Sequence, residues 1–354
     1  MIGRALRPLG VAALVACFAS LSCQDASERQ LSREGYVHAP SEYPLAWLAS
    51  DRLVFLHLDE WRADPDASQV SCDSSGVYLL DSSSRRQPLR IGHELCEVPG
   101  ASGLDVSPDG RYVVYSGGGE LHRLDLQDGG SISLTGTALR EPQLPSWSPD
   151  GHRIAFVAHS TPRDSTSGLA VYLVNFDGTS IRRARTLGAR YVESSPSWSP
   201  DGHHLVVTAY PDGGRQPESP AEIIVIDTLG QSGRVLALGH QASWSPTGEW
   251  IAYLTFSRAS GDTARTWGSS IRLMRPDGTA SRALYTSSES VALRRFRDRI
   301  VNGSPFGPLV WSADSKRLAF RRIFDGHSTM WAIQIDGSGL TPLSSADAVS
   351  LSGR

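Results

Sequence analysis

Seven polar residues, Arg140, Glu141, Gln143, Tyr191, Glu193, His240 and Gln241, have the types from which a site is assembled. Carboxylates and an imidazole are the usual general acids and bases, and an arginine fork neutralises an anionic group. The set suits a polysaccharide lyase or a hydrolase. It suits equally a surface that hydrogen-bonds a protein or peptide segment, or a small-ligand sensor. The chain contains no Gly-x-Ser-x-Gly elbow and no His-Glu-x-x-His helix, and only eleven residues follow Leu343. No catalytic residue is therefore assigned, and binding without chemistry is the leading expectation. No metal site or cofactor is expected either. His152, His203 and His204 follow turn glycines and are read as exposed loop residues, and Asp109, Asp150 and Asp201 are explained by turn formation alone.

These seven residues precede, or lie close ahead of, a motif that recurs along the chain. It reads Trp147-Ser148-Pro149-Asp150-Gly151 before Ile154-Ala155-Phe156-Val157, and Trp198-Ser199-Pro200-Asp201-Gly202 before Leu205-Val206-Val207. Weaker copies begin at Trp47, Val106, Trp244 and Trp311, giving intervals of 59, 41, 51, 46 and 67 residues. Ser-Pro-Asp-Gly fits a type I turn closed by a left-handed residue, the common three-residue hairpin loop. The apolar run after each turn does not alternate, so that strand is covered on both faces. A third strand follows in each unit, as in Ala170–Val174 and Ile223–Ile226. Several of these end in a second turn, such as Asp177-Gly178-Thr179 and Asp277-Gly278-Thr279. The expected fold is all-β, a six-bladed β-propeller of four-stranded antiparallel blades. The repeat tryptophans are expected to pack between blades.

This repeat, with Tyr172-Leu173-Val174-Asn175-Phe176-Asp177-Gly178-Thr179 and a closing Leu, resembles the WD40-like (PD40) repeat of TolB-type propellers across about residues 43 to 343. The same repeat is found in propellers of prolyl-oligopeptidase-type peptidases and in envelope proteins. The resemblance implies a binding role with function at the funnel mouth, just before each Trp, where the seven residues lie. TolB proteins also carry an N-terminal α/β domain that contacts the inner-membrane Tol machinery. Here only about residues 24 to 42 precede the first blade, so the expectation covers the propeller without that domain.

Residues 1–16 carry Arg4 and Arg7, no acid, and the apolar run Leu9 to Ala16, the layout of an export signal. Leu14-Val15-Ala16-Cys17 resembles a bacterial lipobox. Ser20-Leu21-Ser22-Cys23 is the alternative, with cleavage between 22 and 23. Residues 17–42 then form a lipidated polar tether, residues 43–345 the propeller and residues 346–354 a tail. A run this short falls below the roughly 20 apolar residues of a membrane span. Expected contacts are the membrane through the lipid anchor and an envelope protein or peptide, in the periplasm or at the outer membrane. Losing Arg4 and Arg7 takes the formal charge from −3 to −5. With only the loop cluster Arg294 to Arg299 dense in cations, no nucleic-acid partner is expected. Cys72 and Cys96 remain in the mature chain and are expected to form a disulfide. The remaining sequence features are long insertions: Asp59 to Ser75, Tyr210 to Ala221, Ser257 to Trp267 and Ser287 to Pro308.

Overall fold

The computed structural model describes residues 41–48, 52–58, 76–80, 86–88, 103–159, 169–187, 191–192, 194–210, 221–230, 232–258, 266–287, 291–292, 306–324 and 327–343. Six antiparallel sheets follow one another along the chain. Blade 1 holds β1 (Ser41–Leu48), β2 (Arg52–Leu58), β3 (Gly76–Leu80) and β4 (Arg86–Pro88). Blade 2 holds β5 (Leu104–Val106), β6 (Tyr112–Gly117), β7 (Glu120–Asp125) and β8 (Ser131–Ser133). Blade 3 holds β9 (Arg140–Trp147), β10 (Arg153–His159), β11 (Leu169–Asn175) and β12 (Arg182–Thr186). In blade 4 the innermost strand is split into β13 (Tyr191–Val192) and β14 (Ser197–Trp198), followed by β15 (His204–Tyr210), β16 (Glu222–Asp227) and β17 (Gly233–Leu238). Blade 5 holds β18 (His240–Trp244), β19 (Ile251–Arg258), β20 (Thr266–Met274) and β21 (Arg282–Thr286), with β22 (Val291–Ala292) added beside β20. Blade 6 holds β23 (Phe306–Trp311), β24 (Arg317–Phe324), β25 (His327–Gln334) and β26 (Thr341–Pro342).

The repeat motif builds the hairpin between the first two strands. In blade 3 the Gly151 amide donates to the Ser148 carbonyl at 2.9 Å, and Gly151 has φ 71°. The Ser148 hydroxyl donates to Asp150 Oδ1 at 2.5 Å while accepting the Arg153 amide, and the same Asp150 oxygen accepts the His152 amide. Blades 2, 4 and 6 repeat this wiring through Asp109, Asp201 and Asp314. The aspartates are therefore turn residues, as expected. In blade 6 Ser315 replaces the glycine at φ 57°, and its buried hydroxyl accepts the Thr247 amide of the preceding turn at 3.0 Å. That bond offsets the cost of a left-handed non-glycine.

The core is divided into layers between blades, which is why the second strands are apolar on both faces. Ile154, Phe156 and Ala158 of β10 pack with Val114, Leu121 and Leu134 of blade 2. Ala155 and Val157 of the same strand pack with Leu205, Val207 and Ala209 of blade 4. Similar layers join blades 1 and 2, 4 and 5, and 5 and 6. The ring closes through Leu53 and Phe55 of blade 1 against Ala319 and Met330 of blade 6, with the Arg317 guanidinium 4.6 Å from the Trp47 ring centroid. Among the described residues no strand of one blade joins another blade's sheet. Burying each of these large side chains stabilises by about 1.5–3 kcal/mol.

Hydrogen bonds between blades reinforce the layers. Arg123, Arg182, Arg234 and Arg282 each donate to a backbone carbonyl of the next blade, at Phe176, Thr228, Asp277 and Ile335 respectively. The repeat tryptophans provide a second set. Trp198 Nε1 donates to Ser146 O and Trp311 Nε1 to Ser243 O, both at 3.1 Å. At the two intervening seams a side chain accepts the tryptophan amide instead: Asp105 accepts from Trp147 at 2.7 Å and Ser197 from Trp244 at 2.9 Å. The indole nitrogens of Trp147 and Trp244 are buried without an acceptor. These tryptophans are packing residues.

Candidate functional site

Each innermost strand runs away from one face of the ring and ends at the Ser-Pro-Asp-Gly turn on the other. The starts of β9, β13, β18 and β23 thus share the mouth face with the ends of β2, β10, β15, β19 and β24. The insertions begin and finish at strand ends on this face. Residues 59–75, 211–220, 259–265 and 293–305 lie outside the described residues. The segment from Ser257 to Trp267 is not wholly a loop: Ser257 pairs with Gly268 and Arg258 with Trp267, prolonging the β19–β20 ladder.

The innermost strands are bulged, and the bulges carry the strained backbone. In β9 the partners step from Ser146 opposite Ala155 to Gln143 opposite Val157 and Arg140 opposite His159, so one extra residue is inserted twice. Leu144 (φ 55°) and Glu141 (φ 53°) sit in those two bulges. In β18 the step from Ser243 opposite Ala252 to His240 opposite Leu254 inserts one residue, and Gln241 has φ 49°. Pro145 and Pro196, which lack a backbone N–H donor, stand two residues before Trp147 and Trp198 and suit a ladder that is already interrupted. Bulges of this kind re-aim side chains and gather beside functional sites.

The expected residues fall into two groups. At blade 3, Glu141 lies 3.4 Å from Arg140 Nε and 3.6 Å from His159 Nε2, with Arg140 and Glu141 more than half exposed. At the junction of blades 4 and 5, His240 is buried, with Nδ1 3.2 Å from the Tyr210 hydroxyl and its ring centroid 4.6 Å from that of Phe256. Gln241 follows it, its Oε1 buried without a hydrogen-bond partner. No hydrogen bond, ion pair or ring contact among the described residues joins the two groups. Gln143 is half-buried on β9, and Tyr191 starts β13 opposite Tyr210. Glu193, Cys17, Cys23, Cys72 and Cys96 lie outside the described residues. His152 and His203 are exposed. His204 is not a loop residue: it opens β15 and its ring lies 6.3 Å from that of Trp244 in the next blade.

Three further residues escape a reading of sequence alone. His159 ends the apolar run of β10, and Phe256 lies two positions beyond the apolar run Ile251–Leu254; only the register of His159 against Arg140 and the ring contact of Phe256 with His240 give them meaning. Asp105 had a signal, an acid between Leu104 and Val106 in the copy that lacks its tryptophan. It is half-buried, and its oxygens accept the amides of Val106 (2.8 Å) and Trp147 (2.7 Å). Burial pushes its carboxyl up to about 7 against the lowering pull of those two amides. The turn carboxylates behave oppositely: the Ser312 hydroxyl and Lys316 amide hold Asp314 below the ordinary carboxylate range, and Thr179 does so for Asp177. Among the described residues no three His, Cys, Asp or Glu side chains are grouped to hold a metal ion.

Six antiparallel sheets in sequence order around an axis, each a four-stranded blade in plan with the inner strand split in blade 4 and a short strand added in blade 5, with apolar layers between them, define a six-bladed β-propeller. Its repeats are TolB-like. The Tol-Pal system protein TolB of Alcanivorax borkumensis is 30% identical over 128 residues, 35% of this chain and 27% of that protein. A structure of Acinetobacter baumannii TolB matches with TM-score 0.51 and 14% identity, over 84% of this chain and 62% of that one. Oligogalacturonate lyase in complex with manganese matches with TM-score 0.53 and 12% identity, over 87% and 83%. Identities this low speak to the fold alone. No family model matches the chain.

Proposed function

We propose that this protein is an exported, lipid-anchored propeller of the bacterial envelope that binds a protein or peptide segment across its mouth face without chemical turnover. The observation that carries the reading is the bulged inner-strand entrance: Glu141 and Gln241 are held in left-handed backbone at the mouth, and Arg140 and Glu141 are presented to solvent. Backbone strain of about 1–3 kcal/mol per residue is sustained where presentation of a side chain matters. The polar residues stand in separate groups, a distribution that suits an extended partner touching several blades. The signal with its lipobox cysteine, Cys17 or Cys23, supports a periplasmic or outer-membrane address. A photo-crosslinking amino acid placed at Arg140, compared with one at Asp201 on the turn face, tests the reading in intact cells. Adducts confined to the mouth position are expected. Equal labelling at both positions, or none at the mouth, overturns it. Incorporation of labelled palmitate, lost in either Cys17→Ser or Cys23→Ser, tests the anchor.

A further inference from the structure

The outer strand of each blade leaves one edge unpaired, and such edges are ordinarily blunted by shortness, charge or proline, because an open edge invites another strand. β8 has three residues, β4 ends on Pro88, β26 consists of Thr341 and Pro342, β12 carries Arg182, Arg183 and Arg185, and β21 exposes no large apolar side chain. β17 departs from this pattern. It is the longest outer strand at six residues and holds no proline and no acid. Its one charge, Arg234, is turned onto the Asp277 and Pro276 carbonyls of blade 5. Val235 and Leu238 are 49% and 55% exposed, and among the described residues no strand pairs with the outer side of β17. We propose that β17 is an interface between two copies of this chain, the two strands pairing antiparallel about a two-fold axis so that blade 4 of each ring continues the sheet of the other.

The backbone and the charges of the strand are both self-complementary. At its two ends the Asp227 amide donates to the Ser232 carbonyl and the Gly239 amide to the Ala221 carbonyl, both bonds lying between β17 and β16. Alternation along an antiparallel strand then turns the N–H and C=O of Gly233 and of Leu238 outward. Gly233 of one copy opposite Leu238 of the other is a hydrogen-bonded pair, and the two-fold makes it twice. Ile224 and Ile226 of β16 face blade 3, so Glu222 shares their side, as do Val235 and Leu238, which lie opposite Ile224 and Glu222. Arg185 of blade 3 lies over Gly233 on that same side, where an added Cβ would stand 2.7 Å from its guanidinium carbon. The side chains of Arg185 and Glu222 have no hydrogen bond or ion pair among the described residues. Asp227, the acid at the Gly233 end, accepts the Ser232 hydroxyl at 2.6 Å. The edge is thus basic at Gly233, acidic at Leu238 and apolar between. Antiparallel pairing sets each Arg185 toward the partner's Glu222, two strand spacings or about 10 Å away, and covers the apolar side chains of both copies. Parallel pairing would set like ends together, and an acidic peptide would meet a like charge at Glu222. The interface does not rest on the reading of the mouth face.

Sedimentation velocity of the mature chain, prepared without acyl groups, tests it. The sedimentation coefficient should rise toward that of a dimer over about a hundredfold range of loading concentration. Arg185→Glu and Glu222→Arg should each weaken association about tenfold, because like charges then meet across the two-fold. An equimolar mixture of the two variants restores unlike charges on both sides and should associate as well as the wild type. A monomer throughout the range, variants that associate like the wild type, or a mixture no better than its components overturns the proposal. Should a variant fail to fold, amide hydrogen exchange of the wild type decides. Protection of the Gly233 and Leu238 amides that grows with concentration, while that of Gly239, already bonded to Ala221, stays constant, supports the interface. Protection that is independent of concentration overturns it.

Discussion

Replacing a repeat tryptophan by phenylalanine should cost very different amounts at positions that look identical in sequence. Trp147 and Trp198 open the two best copies of the motif, and each is 6% exposed in an apolar layer between blades. Their indoles keep different company. Trp198 Nε1 donates to the Ser146 carbonyl at 3.1 Å, whereas Trp147 Nε1 is buried without an acceptor. Phenylalanine removes similar ring volume from both sites, so the packing loss, about 1–2 kcal/mol, largely cancels in the comparison. Trp198→Phe additionally loses a hydrogen bond, about 1 kcal/mol net. Trp147→Phe removes an unsatisfied buried donor, whose penalty is about 1–3 kcal/mol. Trp198→Phe should therefore be the more destabilising by about 2 kcal/mol or more, and Trp147→Phe close to neutral. Urea unfolding monitored by far-UV circular dichroism measures both. Equal costs within about 0.5 kcal/mol, or a larger cost at Trp147, would refute the reasoning, because the difference rests wholly on the two nitrogen atoms.

Other substitutions test other parts of the construction. Gly230→Ala places a Cβ 2.0 Å from the Ala184 carbonyl oxygen of blade 3 at φ 78°, and should cost about 3 kcal/mol or prevent folding, read by urea melts. Glu141→Gly and Gln241→Gly relieve left-handed backbone and should each stabilise by about 1 kcal/mol in calorimetry while weakening crosslinking at the mouth. Ser315→Ala keeps the strained φ and loses the acceptor for the Thr247 amide, so it should be less stable than Ser315→Gly in side-by-side thermal melts. For Asp314, held low by Ser312 and Lys316, stability is present above the ordinary carboxylate pKa of about 4 and lost as pH falls through the lower folded value. Asp314→Asn should flatten that acid limb of melting temperature against pH.

The blade was legible because each strand answers to short-range chemistry. Ser-Pro-Asp-Gly specifies its turn through its own hydroxyl and carboxylate, and a run such as Ile154-Ala155-Phe156-Val157 announces cover on both faces. The site was half legible. Arg140 and Glu141 could be placed at the mouth by counting back from Trp147, yet the bulges at Glu141 and Leu144 shift the register twice in eight residues, and no alternation rule foresees that. His159 and Tyr210 acquire meaning only opposite Arg140 and beside His240. The arginines that tie one blade to the next were invisible for the same reason, since each of their partners is a backbone carbonyl more than forty residues away.

The contact of blade 6 with blade 1 is the one seam where neighbouring blades are not consecutive in the chain, and among the described residues it includes Phe55 and Leu53 against Met330 and Ala319, and Arg317 over Trp47. Parting it would break no strand ladder among the described residues. The ring is thus a bracelet with a press-fit catch, and a partner that grips blades 1 and 6 together would fasten the catch and draw the other five seams tight at once.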